Sequence, residues 1–185
     1  MDFSGLPRAA MFMKSSSEDS AYHPASYPGL ESYYDVGRVF SSSLLRRVMT
    51  PEQAYLIKKS FDEMWPIRRG LAMQFYNRFF EIAPDAKRLF PSNMERLYLI
   101  LMDTIAAIVG ALDNRALFES IIGHTARHHE RFGVTLSQLI AFGDALIWSL
   151  EQQFGSAFTP ELREAWIALY EEVQTEMIKG AKIRT

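Results

Sequence analysis

Three of the four histidines of the chain, His124, His128 and His129, lie in one short segment that we expect to be helical. A neutral imidazole nitrogen is the commonest metal ligand in proteins, so this segment is the first candidate for chemistry. His124 and His128 are one helical turn apart and could hold a transition metal together. The sequence offers no third ligand beside them, and the alternative is a pair of polar histidines on a solvated face.

His129 has a different position on the same helix. It lies about 100° around the helix from His128 and one turn before Gly133, a residue type that often follows the end of a helix. A lone histidine there is usually structural. The residues that surround it in the sequence favour a ligand, as shown below.

Other chemistries are excluded by what the chain lacks. It contains no cysteine, which excludes disulfide scaffolds, thiolate metal sites, iron–sulfur clusters and cysteine nucleophiles. We find no glycine-rich phosphate loop, no nucleophile elbow and no His-Glu-x-x-His signature. The net charge is −2, with 20 basic and 22 acidic residues, so we expect no nucleic-acid partner.

The elements that must position these histidines are helices. Thr50-Pro51-Glu52-Gln53 predicts a helix start, because the threonine hydroxyl can cap the helix and proline fits its first position. Proline at 66, 84 and 91 predicts breaks. Helices are further predicted at 94–112, 116–131 and 136–154, and from Thr159-Pro160 onward.

The longest apolar stretch, residues 97–112, predicts a buried helix that is sandwiched between other helices. It is shorter than the roughly 18 residues that a membrane span needs. Neither this stretch nor the N-terminus reads as a membrane span or a secretion signal, so we expect a cytoplasmic protein.

Two domains of different composition are predicted. Residues 1–48 form an extension rich in serine and aromatic residues, and residues 49–185 form the helical domain. The extension is expected to be partly disordered. Because disordered segments are usually poor in aromatics, residues 30–47 are expected to dock on the domain or on a second subunit in a homodimer.

Several short motifs in order along residues 49–180 resemble those of the globin family. The closest branch in style is the bacterial single-domain and flavohaemoglobin-type globins, with neuroglobin-like features in the last two helices. Each motif is weak alone, but together they are fairly specific. They are Thr50-Pro51-Glu52-Gln53, Phe75-Tyr76-x-x-Phe79-Phe80-x-x-Ala83-Pro84, Leu89-Phe90-Pro91, His129-x-x-x-Gly133-Val134, Phe158-Thr159-Pro160 and Ala165-Trp166-x-x-Leu169-Tyr170.

The resemblance implies an all-α fold in which a 3-over-3 helical sandwich surrounds haem b. It implies that His129 is the axial ligand of the haem iron, with the adjacent His128 as a rival. Phe90 matches the phenylalanine that stacks on the haem, and Tyr76 matches a distal tyrosine that can donate a hydrogen bond to bound dioxygen. The alternative for Tyr76 and Phe90 is ordinary core packing. Leu97, Ile100, Leu101 and Val134 complete the implied cofactor-binding set.

The sequence departs from the family pattern at three places. Leu97 occupies the distal position that usually carries histidine or glutamine, so Tyr76 is left as the leading polar distal group. Leu139 and Ala181 occupy positions where flavohaemoglobin-type globins carry a tyrosine and a glutamate around the proximal histidine. Few residues follow the globin region, so any turnover would need electrons from a separate reductase.

These observations favour a haem protein that reversibly binds dioxygen or another diatomic gas, without catalytic residues. One alternative is a nitric-oxide dioxygenase that is served by a separate reductase. Another is a gas sensor or interaction module that acts through residues 1–48, and its variant is a globin fold that has lost haem.

Overall fold

The computed structural model of the protein describes residues 49–181. This part consists of helices joined by short turns, and it contains no β-strand between residues 49 and 181. The expectations for residues 1–48 lie outside the described part. The helices are α1 (Pro51–Met64), α2 (Arg68–Ile82), α3 (Glu95–Gly110), α4 (Arg115–Glu130), α5 (Leu136–Phe154) and α6 (Pro160–Ala181). None of them is long and apolar enough to cross a membrane.

The helix starts follow local capping chemistry. The Thr50 hydroxyl accepts a hydrogen bond from the Gln53 amide at 3.2 Å, and the Gln53 side chain accepts one from the Thr50 amide at 3.0 Å. Thr135 and Gln138 make the same reciprocal pair at the start of α5. The predicted start at Thr50 is confirmed, because the residues that cap a helix are neighbours in sequence.

The first, fourth and last helices form a closely packed group. Helix α6 packs against both α4 and α1. At its end, a Cβ built on Gly180 would lie 2.7 Å from the Ala126 Cβ, which shows how closely α6 approaches α4. Toward the start of α6, the buried Trp166 Nε1 donates a hydrogen bond to the Ser60 hydroxyl of α1 at 3.0 Å. Two members of this group, α4 and α6, also line the candidate site.

Helix α3 is less enclosed than the sequence predicts. It contacts α2 and α1 on one side and α4 at fewer points. Leu101, Met102, Ile108 and Val109 are buried, whereas Leu99 keeps 51% of its surface exposed. The expected sandwich is therefore incomplete, because one flank of α3 faces solvent and another faces a cavity.

Tyr170 of α6 lies directly against the backbone of α5. Its hydroxyl donates a hydrogen bond to the Leu139 carbonyl, and its ring stacks on Phe142 with centroids 5.9 Å apart. A Cβ built on Gly143 would lie 2.3 Å from the Tyr170 Cε1 atom. Only glycine at position 143 leaves room for the ring, so this contact fixes the distance between α5 and α6.

We predict that Gly143→Ala lowers the free energy of unfolding by about 2 to 3 kcal/mol, because the new methyl group collides with the Tyr170 ring. Urea unfolding followed by circular dichroism measures the change.

The matched control is Gly70→Ala in α2, where an added Cβ meets no atom of the described chain within 4 Å. That variant is expected to be neutral or to gain roughly 0.5 kcal/mol from the better helix propensity of alanine. Equal stability of the two variants would contradict the proposed packing constraint.

Candidate haem site

A cavity of about 320 Å³ lies between α3 and the group formed by α4, α5 and α6. One face of α3 forms a wall, because its lining residues recur at helical spacing. These residues are Leu97, Ile100, Leu101, Thr104, Ile105 and Ile108. The opposite wall on α4 is formed by His124, Thr125, His128 and His129. The apolar stretch of α3 thus faces the histidine cluster across the cavity.

The size and lining of the cavity are those of a ligand site. Protein interiors are close-packed and hold few voids larger than a water molecule. A cavity of this volume that is lined mainly by apolar and aromatic side chains falls within the range of cofactor pockets.

All seven residues of the implied cofactor-binding set border this one cavity, although they come from five separate parts of the chain. They are Tyr76 from α2, Phe90 from the turn before α3, Leu97, Ile100 and Leu101 from α3, His129 from α4, and Val134 from the corner before α5. The structure therefore brings the whole predicted set together.

The ring of His129 is held in one orientation. Its Nδ1 atom lies 2.8 Å from the Thr125 carbonyl oxygen, one turn earlier in α4. A carbonyl can only accept a hydrogen bond, so Nδ1 carries the proton and Nε2 keeps its lone pair. Nε2 makes no hydrogen bond within residues 49–181. Because His129 lines the cavity, this lone pair is available to a ligand there.

The surroundings of His129 also favour its neutral form. Burial lowers the pKa of its imidazole, the nearby His128 lowers it further, and the hydrogen bond to Thr125 opposes both. A neutral imidazole is the form that coordinates a metal. Orientation, tautomer and charge state thus agree.

His128 and His124 also border the cavity but are placed differently. His128 is half-buried, and its ring packs against Phe132 with centroids 5.1 Å apart. Burial lowers the pKa of His128, as do the nearby Arg131 and His124. His124 is exposed at the cavity edge. Within the described residues, no group of three possible metal ligands occurs, so His124 and His128 lack the third ligand that a separate metal site needs.

Tyr76 supplies a polar group to an otherwise apolar wall. Its side chain is only 7% exposed, and its ring contacts Phe75, Phe90 and Tyr98. The hydroxyl has no hydrogen-bond partner among residues 49–181, yet no fully buried polar side-chain atom in that part is unpartnered. The hydroxyl therefore keeps some accessible surface, and Tyr76 lines the cavity. Burial raises the pKa of Tyr76, so the phenol stays protonated and can donate.

The ionisable side chains in the cavity wall include basic groups but no acidic carboxylate of the described chain. Apart from the tyrosines, they are Arg88 and the three histidines of α4. Arg88 and His124 are exposed and therefore mark its opening. This distribution fits a ligand that buries an apolar body and keeps anionic groups at the opening.

Sequence reasoning missed several residues of the wall, and three of them also hydrogen-bond to another element. Trp166 and Tyr170 were quoted only as parts of a family motif, and Gln138 was not singled out at all, yet all three line the cavity. The Tyr170 hydroxyl also donates a hydrogen bond to the carbonyl of Leu139, which stands where flavohaemoglobin-type globins carry a tyrosine. The side chain of Ala181 lies outside the described part. A capping-box pattern at Thr135 could have drawn attention to Gln138.

Comparisons with known proteins agree with this geometry. The sequence profile of the family described as Globin matches residues 73–177. Neuroglobins of Tetraodon nigroviridis and Danio rerio are 26% and 25% identical over 140 residues, which is 68% of this chain and 87% of each relative. A flavohemoprotein of Vibrio cholerae is 28% identical over 66% of this chain and 32% of its own length.

A solved structure shows the same fold. The flavohemoglobin of Malassezia yamatoensis, determined with bound FAD and heme, has a TM-score of 0.63 at 16% identity, over 72% of this chain and 37% of that one. This chain thus spans about a third of each of these two larger proteins.

An all-α fold that encloses an apolar cavity, with the oriented His129 and two tyrosines in its wall, defines a helical cofactor-binding domain. With more than half of its length matched by the family profile, the chain belongs to the globin family. The predicted all-α globin fold is confirmed, and family membership supports haem as the cofactor. The branch within the family stays a prediction, because neuroglobins and a flavohemoprotein match at similar identity.

We predict that Tyr170 makes the protein sensitive to alkaline pH. Burial raises the pKa of Tyr170, and the nearby Asp144 raises it further. Above about pH 10 the unfolded chain loses the phenol proton that the folded chain keeps, so stability falls by roughly 1.4 kcal/mol per pH unit for each such group. Tyr170→Phe should reduce the fall in the free energy of unfolding by roughly 1.4 kcal/mol per pH unit, the contribution of one proton, when urea unfolding is measured between pH 9 and pH 11.5.

The control for that experiment is Tyr55→Phe, which removes a phenol that is 64% exposed. The slope of the free energy of unfolding against pH should be smaller in Tyr170→Phe than in this control. An unchanged slope in Tyr170→Phe would show that the phenol titrates equally in both states.

Proposed function

We propose that the protein binds haem b through His129 and reversibly binds dioxygen or another diatomic gas. The observation that carries this proposal is the His129 side chain, whose Nδ1–H is engaged by Thr125 and whose Nε2 is left for the cavity. The same hydrogen bond orients the ring and increases the basicity of the nitrogen that would bind iron.

The residues of the cavity fit haem in polarity and charge. Haem has an apolar body and two carboxylates, and when bound it would supply an iron that can take an imidazole nitrogen and a gas. Phe90 and Val134 would contact the apolar body. Arg88 and His124 at the opening are the groups that would face the carboxylates.

The two sides of the cavity have different tasks in this proposal. On the α3 side, Leu97, Ile100 and Leu101 exclude water, and none of them can coordinate iron. Tyr76 is the group that would donate a hydrogen bond to the bound gas, because its hydroxyl has no partner in the described chain. A single donor in an apolar wall stabilises a bound gas that becomes polar on iron, such as dioxygen, and so slows its release.

We predict that His129→Ala abolishes stable haem binding, whereas His128→Ala retains it, because the Thr125 carbonyl orients the His129 ring and leaves its Nε2 for the cavity. The Soret band of the purified or reconstituted protein measures this. The ferrous spectrum should also lack a bis-histidine form through residue 97, since Leu97 has no ligating atom.

The reverse outcome, with haem lost only in His128→Ala, would show that His128 and not His129 is the iron ligand. Absence of a Soret band in the unaltered chain after haem is added would overturn the proposal itself.

We predict that Tyr76→Phe accelerates dioxygen release about tenfold, because one hydrogen bond to a polar bound ligand is worth roughly 1 to 1.5 kcal/mol. Stopped-flow displacement of dioxygen from the ferrous protein measures the rate.

Tyr98→Phe is the matched control. Its ring is 5.8 Å from the Tyr76 ring, between centroids, but Tyr98 does not line the cavity. Its release rate should be unchanged, and an unchanged rate in Tyr76→Phe would remove Tyr76 from its assigned role.

A second candidate function is a nitric-oxide dioxygenase served by a separate reductase. The observation that favours it is the match to a flavohemoprotein, of which this chain covers 32%. Nitric-oxide consumption that depends on an added reductase would support it.

We also propose that residues 1–48 form an extension and that residues 49–185 form the globin domain. Homodimerisation or gas sensing that depends on residues 1–48 would support this division.

A further inference from the structure

A hydrogen bond joins two turns that lie on different sides of the cavity. The Gln138 Nε2 atom donates to the Asp85 Oδ2 atom at 2.8 Å, although the two residues are 53 positions apart. Asp85 belongs to the 3-10 turn Pro84–Leu89, which leads to Phe90. Gln138 belongs to the first turn of α5, just after Val134. We call this pair, Asp85 and Gln138, the clasp.

The direction of the clasp hydrogen bond is fixed by its neighbours. Gln138 Oε1 accepts from the Thr135 amide at 3.1 Å as part of the helix cap. Its NH₂ group is then the end that faces Asp85, whose carboxylate is an acceptor. A flipped amide would place two acceptors together at Asp85 and would lose the cap, so only one arrangement satisfies both contacts.

The two partners are exposed to different degrees. Gln138 is 6% exposed and lines the cavity, whereas Asp85 lies at the surface. A hydrogen bond to a carboxylate is stronger than one between neutral groups, and loss of the acceptor would leave a buried NH₂ group without its partner. The clasp therefore holds the surface turn against the buried start of α5.

The clasp joins two segments of the chain that both line one edge of the cavity. Arg88, Leu89 and Phe90 line the cavity from the Asp85 side, and Val134 and Leu139 line it from the Gln138 side. When the clasp opens, these two groups are free to move apart. Because α3 and α4 contact each other at few points, this edge depends on the turns between the helices.

We propose that Asp85 and Gln138 are positioning residues that keep Phe90 and Val134 at a fixed separation and thereby control how long the cofactor is retained. This inference rests on the proposed haem binding. Neither Asp85 nor Gln138 hydrogen-bonds to His129 within the described residues, so we expect their replacement to alter retention without removing the proposed iron ligand.

The test is the rate of haem transfer from the loaded protein to an excess of a haem-free acceptor protein. Asp85→Ala removes the acceptor at an exposed position, and we expect release to become roughly three- to tenfold faster. Asp85→Asn keeps an acceptor oxygen and should stay within about twofold of the unaltered chain.

A second variant tests the other partner. Gln138→Glu keeps the cap acceptor for Thr135 but places a carboxylate opposite Asp85, so release should also be faster. Adding Asp85→Ala to this variant removes the repulsion and should slow release again, which is the non-additivity expected of two residues in contact.

The matched control is Glu81→Ala. Glu81 is an exposed carboxylate of α2 that pairs with Arg78 at 3.1 Å and does not line the cavity. Its haem release should equal that of the unaltered chain. In the haem-free proteins, Asp85→Ala should lower the unfolding midpoint more than Glu81→Ala does, because it leaves the buried Gln138 NH₂ group without its partner. With haem bound, the loss of stability in Asp85→Ala should be larger still.

Three results would overturn the inference. They are equal release rates in Asp85→Ala and Glu81→Ala, an additive double variant, or equal losses of stability with and without haem. These results are distinct from failure of the proposed function, in which the unaltered chain shows no Soret band with added haem.

Discussion

The rest of the structure depends on a cavity that the helices hold open. The helices cannot close-pack across a space of about 320 Å³, so the contacts between them elsewhere must hold its walls in place. Helix α6, which packs against α1 and α4, contributes Trp166, Leu169 and Tyr170 to these walls. A cofactor that binds only the folded chain would stabilise it by mass action, so folding and cofactor binding would be linked.

Within this frame, the chemistry is divided between two helices. The carbonyl of Thr125 orients His129 on the α4 side, and a single phenol, Tyr76, supplies polarity on the opposite side. Leu97 adds neither a ligand nor a donor. The site is thus built to present one basic nitrogen and one proton donor across an apolar space, and nearly all of its remaining wall excludes water.

The sequence predicted the parts of this arrangement that depend on local patterns. The start at Thr50 and the break after Ile82 followed from residues that are neighbours in the chain. The seven site residues followed from the family resemblance, and the structure places all of them at one cavity. Their roles toward haem remain proposals.

The parts that could not be predicted depend on contacts between distant residues. Asp85 and Gln138 are far apart in the chain, and only the folded arrangement shows that they meet. The hydroxyl of Tyr170 reaches the Leu139 carbonyl from another helix. Leu99 is exposed although its segment is apolar, because periodicity does not tell which flank of a helix has a neighbour.

The close approach of Gly143 and Tyr170 also limits how this sequence can change over generations. A larger residue at position 143 collides with the ring, and a smaller one at position 170 leaves a hole and removes the hydrogen bond to Leu139. Either replacement alone therefore passes through a less stable chain. We therefore expect positions 143 and 170 to change together, because a side chain at 143 is compatible only with a residue smaller than tyrosine at 170.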